Sequence, residues 1–186
     1  MMKYPFPNKE NSMQDLKSDY MFPKIEPEKV DEIFEDAWEV GLQAAKDFLR
    51  KHADAPIRML EFLDEQGFRI QVKDMDYVLG NRRYFCEYFS RQKIIKIYRK
   101  SVELWCGENG YSYEDGCNLL LCHEYFHHME WHEIGLTSKR CLVPMVKIGR
   151  LQLGKTGVPA LSEVAANAFA QECFARTWAK KNDTLE

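Results

Sequence analysis

His123 and His127 are four residues apart in a segment that reads as one continuous helix, and this spacing constrains the fold more than any other feature. Ser112, with an acid three residues later, predicts the start of that helix, and Gly135 predicts its end. Residues four apart on a helix lie about 40° around the axis and about 6 Å along it, so both imidazoles can bind one metal ion.

Glu124 follows the first histidine, so the segment His123-Glu-Tyr-Phe-His127 has the HExxH form. Its carboxylate projects to the side of the histidine pair, where it can accept a proton from a metal-bound water instead of binding the metal. A chance match is the alternative, because the same helix holds further histidines and glutamates, namely His128, Glu130, His132 and Glu133. Apolar residues that flank the histidine pair favour a half-buried metal helix over that alternative.

A catalytic zinc site usually has three protein ligands and one open position, and three glutamates could supply the third ligand. Glu130 lies about 10 Å along the axis from His123, too far for a shared ion, so it suits a supporting contact instead. Glu133 would point elsewhere, because nothing breaks the helix before it. We predict Glu163, since small residues after it would let its helix approach the metal helix closely. An ordinary first-turn acid is the alternative for Glu163.

Two further pairs share the four-residue spacing. Asn167 follows Glu163 by one helical turn, so its side chain could hydrogen-bond a ligand histidine and fix its orientation. His128 and His132 lie about 100° to 140° around the helix from the main pair. They could form a second metal site, or they could be a packed or solvated pair. We expect the packed or solvated pair.

The bulk composition limits the class of protein. The chain has 186 residues, 45% of them hydrophobic, which suits one core better than two. We therefore predict a single domain over residues 29–186, after an extended or flexible arm over residues 1–28, where four prolines lie among polar residues. The formal net charge of -3 provides no positive field for nucleic acid or an anionic membrane.

Localisation follows from two absences in the sequence. No stretch approaches the ~20 apolar residues of a membrane span, and the first residues lack the apolar core of a signal peptide. The six cysteines form no CxxC pair, so reduced thiols are expected rather than a zinc ribbon. These features predict a cytoplasmic protein whose partner is a protein or peptide, with no membrane and no direct nucleic-acid binding.

Hydrophobic periodicity predicts an α+β fold. The predicted helices cover residues 30–49, 56–67, 112–134 and 159–180, and the predicted strands cover residues 68–72, 84–90 and 93–99. The last two strands would form a hairpin in a small, mainly antiparallel sheet of about three strands. Residues 136–158 predict a connection with little regular structure beyond a strand near residues 142–148.

The segment that carries the predicted third ligand reads Glu163-Val-Ala-Ala166-Asn167-Ala-Phe169-Ala170. Together with the HExxH segment it resembles the ImmA/IrrE-type metallopeptidases, whose HExxH helix is followed by a helix with a Glu-x-x-Ala-Asn-x-Phe-Ala signature. The resemblance covers roughly residues 30 to 178. The chain departs from the family at Phe126, where a small residue is common, and at the doubled histidine that follows it.

The resemblance implies a minimal gluzincin-like zincin core, in which the HExxH helix and a second ligand helix hold one Zn(II) ion. It implies that His123, His127 and Glu163 are the ligands and that Glu124 is the general base. It also implies a bacterial protein, often encoded on a mobile element, that cuts a partner transcriptional repressor at a defined site. No helix-turn-helix segment or sensor domain is evident in the sequence, so the recognition and activation of particular members are not carried over.

The sequence thus predicts a zinc-dependent metallopeptidase. The alternatives are a catalytically inactive metal-binding regulator that acts by protein–protein interaction, and a structural zinc protein. An intact Glu124 argues against both, and the cysteines are not placed to close a structural site. For the negative charge that develops during hydrolysis, the candidate donors are Tyr111, Tyr113 or an arginine of the connecting segment.

Two segments are candidates for contacts with the substrate. We expect residues Lys93 to Arg99 to form an exposed sheet edge that binds a peptide by strand addition. Between Ile134 and Ser162 the chain has no acidic residue but several basic ones, namely Lys139, Arg140, Lys147, Arg150 and Lys155. That segment would favour an acidic substrate or partner surface, with a solvated basic loop as the alternative.

Overall fold

The computed structural model of the chain describes residues 6–52, 57–80, 82–148 and 151–183, with all their side chains except those of residues 147, 148, 151 and 177–183. The helices are α1 Lys9–Lys17, α2 Val30–Lys51, α3 Met59–Glu65, α4 Arg99–Asn109, α5 Tyr113–Met129 and α6 Ala160–Asp183. The strands are β1 Arg69–Lys73, β2 Tyr77–Leu79, β3 Arg82–Tyr84, β4 Cys86–Phe89, β5 Ile94–Tyr98, β6 Leu142–Ile148 and β7 Leu151–Gly157. A π turn, Glu130–Ile134, continues α5, and 3-10 turns cover Phe22–Lys24, Pro27–Lys29, Ser90–Gln92 and Thr137–Lys139.

The strands form three small sheets. The largest has the order β1-β5-β4, in which β5 runs parallel to β1 and antiparallel to β4. The other two are antiparallel pairs, β2 with β3 and β6 with β7. The predicted α+β class with small sheets is confirmed, and the β4–β5 hairpin is present. The parallel pairing of β1 with β5 was not predicted, because it joins segments that only tertiary packing brings together.

Helix α2 packs against α6 and forms one side of the core. Acids in its first turn and bases in its last turn complement the helix dipole. Its buried residues recur at helical spacing and are Phe34, Ala37, Trp38, Gly41, Ala45 and Phe48. Helix α6 contributes a nearly continuous buried stretch over residues 164–170, four of whose seven residues are alanine. Small side chains on both helices therefore permit a close approach.

Helix α5 lies between α6 and the small sheet and is fixed at its start. The Ser112 hydroxyl accepts a hydrogen bond from the Asp115 backbone N–H at 3.1 Å, as the capping sequence predicts. One turn later, the Asn118 side chain accepts from the Met59 N–H at 2.6 Å and donates to the Ile57 carbonyl at 3.2 Å. These bonds satisfy backbone groups at the start of α3 and dock it against α5.

The predicted extended arm needs correction. Over residues 9–17 the chain forms α1, whose N-cap Asn8 accepts a hydrogen bond from the Asn11 N–H at 2.9 Å. Leu16 and Ser12 have no exposed surface. Prolines flank α1 rather than interrupt it, so the proline content of this segment did not indicate an extended chain. The first five residues of the predicted arm lie outside the described part of the chain.

Two further predictions are corrected by the sheet topology, and one helix was not predicted. The segment Lys93 to Arg99 was predicted as an exposed edge, but β5 is the central strand, so β4 is the edge on that side. The predicted irregular connection is mostly the β6–β7 hairpin. Helix α4 follows β5 directly and was missed, because its first residues continue the β-strand pattern.

No helix among the described residues is long and apolar enough to cross a membrane. None of the six cysteines, all of which lie in the described part of the chain, forms a disulfide.

Gly41 is the residue that allows the close approach of α2 to α6. A Cβ at this position would overlap the Ala165 carbonyl and crowd the Ala168 Cβ. We expect Gly41→Ala to lower the free energy of unfolding by about 1–3 kcal/mol, because the backbone of α6 must shift to make room. Urea-induced unfolding followed by circular dichroism measures the change.

Gly107→Ala is the matched control. Gly107 lies in α4, and an added Cβ meets nothing within 4 Å. Since alanine favours helix over glycine, this variant should gain about 0.5–1 kcal/mol. Equal effects of the two substitutions would contradict the packing explanation.

Candidate metal centre

The side chains of His123, His127 and Glu163 converge where α5 meets α6. The Nε2 atom of His123 lies 3.2 Å from Glu163 Oε2, and the Nε2 atom of His127 lies 3.5 Å from Glu163 Oε1. The two Nε2 atoms are 3.3 Å apart. Among the described residues, these three form the one group of His, Cys, Asp or Glu side chains whose ligand atoms all lie within 4.8 Å of one another. This cluster could hold a metal ion.

The chemistry of the donors fits a divalent cation. Two imidazole nitrogens and one carboxylate form a three-ligand set that leaves a position open, because Glu163 is exposed toward solvent. Without a metal ion, the negative charge of Glu163 and the positive charge of the histidines stabilise each other. Desolvation opposes the charge on Glu163, but the hydrogen bond from His123 and the charges of both histidines lower its pKa to about 2. The site is therefore built around a carboxylate that stays ionised.

His127 is the histidine whose protonation the surroundings control most strongly. Burial alone would lower its pKa, but the hydrogen bond to Glu130 and the charges of Glu163 and Glu124 raise that pKa to about 9. The imidazole therefore carries a proton at neutral pH when no metal is bound. A divalent cation would take the place of that proton between the nitrogen and the carboxylates.

Glu130 orients His127 through the ring nitrogen Nδ1, which faces away from the cluster. Its side chain is 2% exposed, and its Oε2 lies 3.2 Å from the His127 Nδ1. The other oxygen accepts hydrogen bonds from the Thr137 N–H at 2.8 Å and from the Ser162 hydroxyl at 3.0 Å. Burial would raise the pKa of Glu130, but the bonds from His127 and Thr137 lower it, so the group is a carboxylate. When a metal ion displaces the Nε2 proton, the Nδ1 proton stays directed at Glu130 and the His127 Nε2 lone pair faces the cluster.

The predicted role of Asn167 is corrected. Its Nδ2 donates to the Ser12 hydroxyl at 3.2 Å, and both residues are buried. Asn167 therefore joins α6 to α1 rather than orienting a ligand histidine. The contact to a ligand histidine comes from Glu130, for which a supporting role was also predicted. The bond from Asn167 to Ser12 could not be predicted, because α1 was not predicted.

Glu124 lies beside the cluster, half-buried, on the side of the sheet edge. Burial and the charge of Glu163 raise the pKa of Glu124, while the two ligand histidines and the backbone N–H of Tyr88 oppose that shift. The raised pKa brings this carboxylate closer to the range in which it can exchange protons at neutral pH. Tyr88 belongs to β4, so the sheet edge contacts this carboxylate directly.

A cleft of about 440 Å³ opens beside the cluster. Its walls come from α5 and the π turn, from the 3-10 turn that follows, from the end of β7 and from the start of α6. Tyr88, Trp131, Lys139 and Ser162 line it together with Glu124 and Glu163. Neither Tyr88 nor Trp131 could be predicted as a site residue, because their place in the cleft depends on tertiary packing.

The predicted donors for a developing negative charge do not line this cleft. The Tyr113 hydroxyl is buried, and Tyr111 stacks on Trp105 with ring centroids 6.3 Å apart. Arg140 forms an ion pair with Asp36 at 2.7 Å, and Arg150 lies outside the described residues. Among the described basic residues of the connecting segment, Lys139 lines the cleft.

His128 and His132 form a packed pair. Their ring centroids are 4.5 Å apart, and the His128 Nδ1 lies 2.7 Å from the Tyr88 hydroxyl. Burial, with the charges of His132 and Lys93, lowers the pKa of His128 to about 4. A neutral, buried His128 supports Tyr88, and the described residues place no third ligand with this pair.

No family model, no curated protein and no solved structure matches this chain.

Removing the Glu163 carboxylate should abolish stable metal binding. The Glu163→Ala variant leaves two nitrogen ligands, so we expect the bound metal to fall from about one ion per chain to a small fraction after gel filtration. Elemental analysis of protein loaded with Zn²⁺ measures the number of metal ions bound per chain. Near-stoichiometric metal in the variant would remove Glu163 from the ligand set.

Glu130→Gln tests the supporting contact. Loss of the negative charge behind His127 should weaken binding of Zn²⁺ or Co²⁺ by about 10–100-fold, because the ligand is less basic and less well oriented. Competition with a chromophoric chelator gives the affinities. Glu133→Gln changes the same residue type one turn along, at an exposed position, and should leave the affinity unchanged. An equal loss in both variants would show a general charge effect instead.

Proposed function

We propose that this chain is a zinc-dependent metallopeptidase of the ImmA/IrrE type. The observation that carries the proposal is the position of Glu124, a carboxylate with a raised pKa that lies at an open cleft beside two imidazole nitrogens and the Glu163 carboxylate. A binding site that only held a metal would not need this fourth group. The HExxH segment and the Glu163 to Ala170 signature support the same family.

Zinc is the ion that this donor set suits best. Two histidines and one glutamate form a common ligand set of catalytic zinc, and zinc accepts four ligands, which leaves a position for water. No cysteine belongs to the three-residue group, so a closed structural site has no ready fourth ligand among the described residues.

Each of the site residues would have a separate role in hydrolysis. When bound, zinc would acidify a water molecule and polarise the carbonyl of the scissile peptide. Glu124 accepts the proton of the attacking water and returns it to the nitrogen of the leaving amine, which requires a pKa close to the working pH. Glu130 keeps His127 in one tautomer and orientation throughout.

Strand β4 is the edge on which we place the substrate. The Tyr98 N–H donates to the Phe85 carbonyl at 2.9 Å, so alternate residues of this antiparallel pair bond to β5. Cys86 and Tyr88 therefore direct their backbone groups away from β5, and the Tyr88 N–H reaches Glu124. An extended peptide added along this edge would bring its backbone to the cleft.

The cleaved partner is proposed to be a transcriptional repressor, as the family resemblance implies. A catalytically inactive regulator would keep the same metal site and bind its partner without cutting it. The two proposals differ in one measurable property, which is the dependence of cleavage on the Glu124 carboxylate.

Glu124→Gln should retain bound metal and lose at least ~10²-fold in peptide hydrolysis, because the amide cannot accept the proton of the attacking water. The substrate is a randomised synthetic peptide library, and mass spectrometry of new termini measures cleavage by the zinc-loaded chain. Glu133→Gln is the control and should cut as the wild type does. Equal cleavage by wild type and Glu124→Gln would reject the mechanism, and no cleavage by either would favour the regulator.

A further inference from the structure

The β6–β7 hairpin packs one face on the core at its base, and it projects from the core beyond that point, since Met145 on the same face as Val143 is 56% exposed. Val143 points inward and is 3% exposed. Because side chains alternate along a strand, its neighbours in β6 point outward together with their register partners in β7. The outward face comprises Leu142, Pro144, Val146, Leu153 and Lys155, whereas Gly157, the partner of Leu142, packs on the Ser138 carbonyl.

This outward face is apolar and exposed. Leu142, Val146 and Leu153 are 53%, 47% and 52% exposed. Val146 and Leu153 are direct partners across the hairpin, so their side chains form one continuous strip. A contiguous strip of large apolar side chains on a surface is typical of an interaction site.

The outward face is continuous with the cleft. Gly157, at the base of the hairpin, lines the cleft and pairs in register with Leu142. Trp131, which is 59% exposed, lines the cleft as well. A polypeptide that crosses the cleft would therefore pass from the metal cluster onto the apolar strip.

The charged residues of the hairpin and of the turn before it are all basic. Residues 135–161 contain no acid. Arg140 is compensated by its ion pair with Asp36, but Lys139 at the cleft and Lys155 on the outward face have no carboxylate within 4.0 Å among the described residues. Two uncompensated ammonium groups beside an apolar strip complement a segment that combines apolar with acidic side chains.

We propose that the outward face of the hairpin is a docking site for the substrate polypeptide itself, and that it selects a segment in which apolar residues accompany Asp or Glu close to the cleaved bond. This proposal rests on the proposed peptidase function, since its occupant is the chain that lies in the cleft. Docking outside the cleft would give a small protease selectivity that its cleft alone does not supply.

A capture experiment tests the docking site without requiring catalysis. Immobilised, zinc-loaded Glu124→Gln protein is incubated with a randomised library of 20-residue peptides, and the retained peptides are sequenced. We expect enrichment of peptides that combine Asp or Glu with large apolar residues. Replacing the strip in this protein by Leu142→Ser, Val146→Ser and Leu153→Ser should reduce retention roughly tenfold.

Matched controls separate docking from general surface effects. Val72, Leu79 and Leu104 are 47%, 61% and 46% exposed and lie outside the hairpin, so their replacement by serine should not change retention. Lys155→Glu should replace the preference for acidic residues by a preference for Lys and Arg. Lys73 is an exposed lysine of β1, and Lys73→Glu should leave the preference for acidic residues unchanged. Urea unfolding confirms that every variant is folded.

Cleavage by the wild-type chain gives a second readout. The ratio of cleavage of the 20-residue library to that of a hexapeptide library should fall about tenfold in the triple serine variant, because a hexapeptide spans little beyond the cleft. Retained peptides with no acidic and apolar enrichment, or with the same enrichment after the hairpin substitutions, would overturn the docking site. Enriched capture without cleavage by the wild type would keep the docking site and reject the peptidase.

Discussion

The arrangement of the candidate metal centre depends on the hydrogen bonds of the Glu130 carboxylate. This carboxylate joins the ligand His127 to the Thr137 N–H and to the Ser162 hydroxyl, so three segments distant in sequence meet at one buried charge. Leaving such a charge without partners would cost about 3–5 kcal/mol, so the three donors must stay together in the folded protein. Because Ser162 precedes Glu163, the same contact holds the third ligand near the histidines.

Helix α6 is held in position by contacts with several other helices. These contacts fix the position of the short motif that begins at Glu163. Gly41 lets α2 approach the Ala165 carbonyl, and Asn167 bonds to Ser12 of α1. The position of Glu163 therefore depends on contacts with α1, α2 and the end of α5. The N-terminal segment is part of this support, since Phe6 also lies against His123 with ring centroids 5.7 Å apart.

The parts of the site that the sequence predicts are those with local spacing. His123, Glu124 and His127 lie on one helix, whose geometry fixes their relative positions, and Glu163 was identified from its short motif. Tyr88 could not be predicted, because it reaches Glu124 only after β4 pairs with β5 in a sheet completed by a parallel strand. The role of Asn167 was wrong for the same reason, since its partner belongs to a helix far away in the chain.

The hairpin and the third ligand behave as one structural unit. Six residues separate Gly157 from Glu163, and the Val158 N–H donates to the Ser138 carbonyl at 2.9 Å within that interval. A Cβ at Gly157 would overlap that same carbonyl, so the base of the hairpin is packed directly on the turn that contacts Glu130. A polypeptide bound along the hairpin would therefore press on the segment that sets the position of Glu163. The proposed docking site and the candidate ligand Glu163 are therefore connected through backbone contacts.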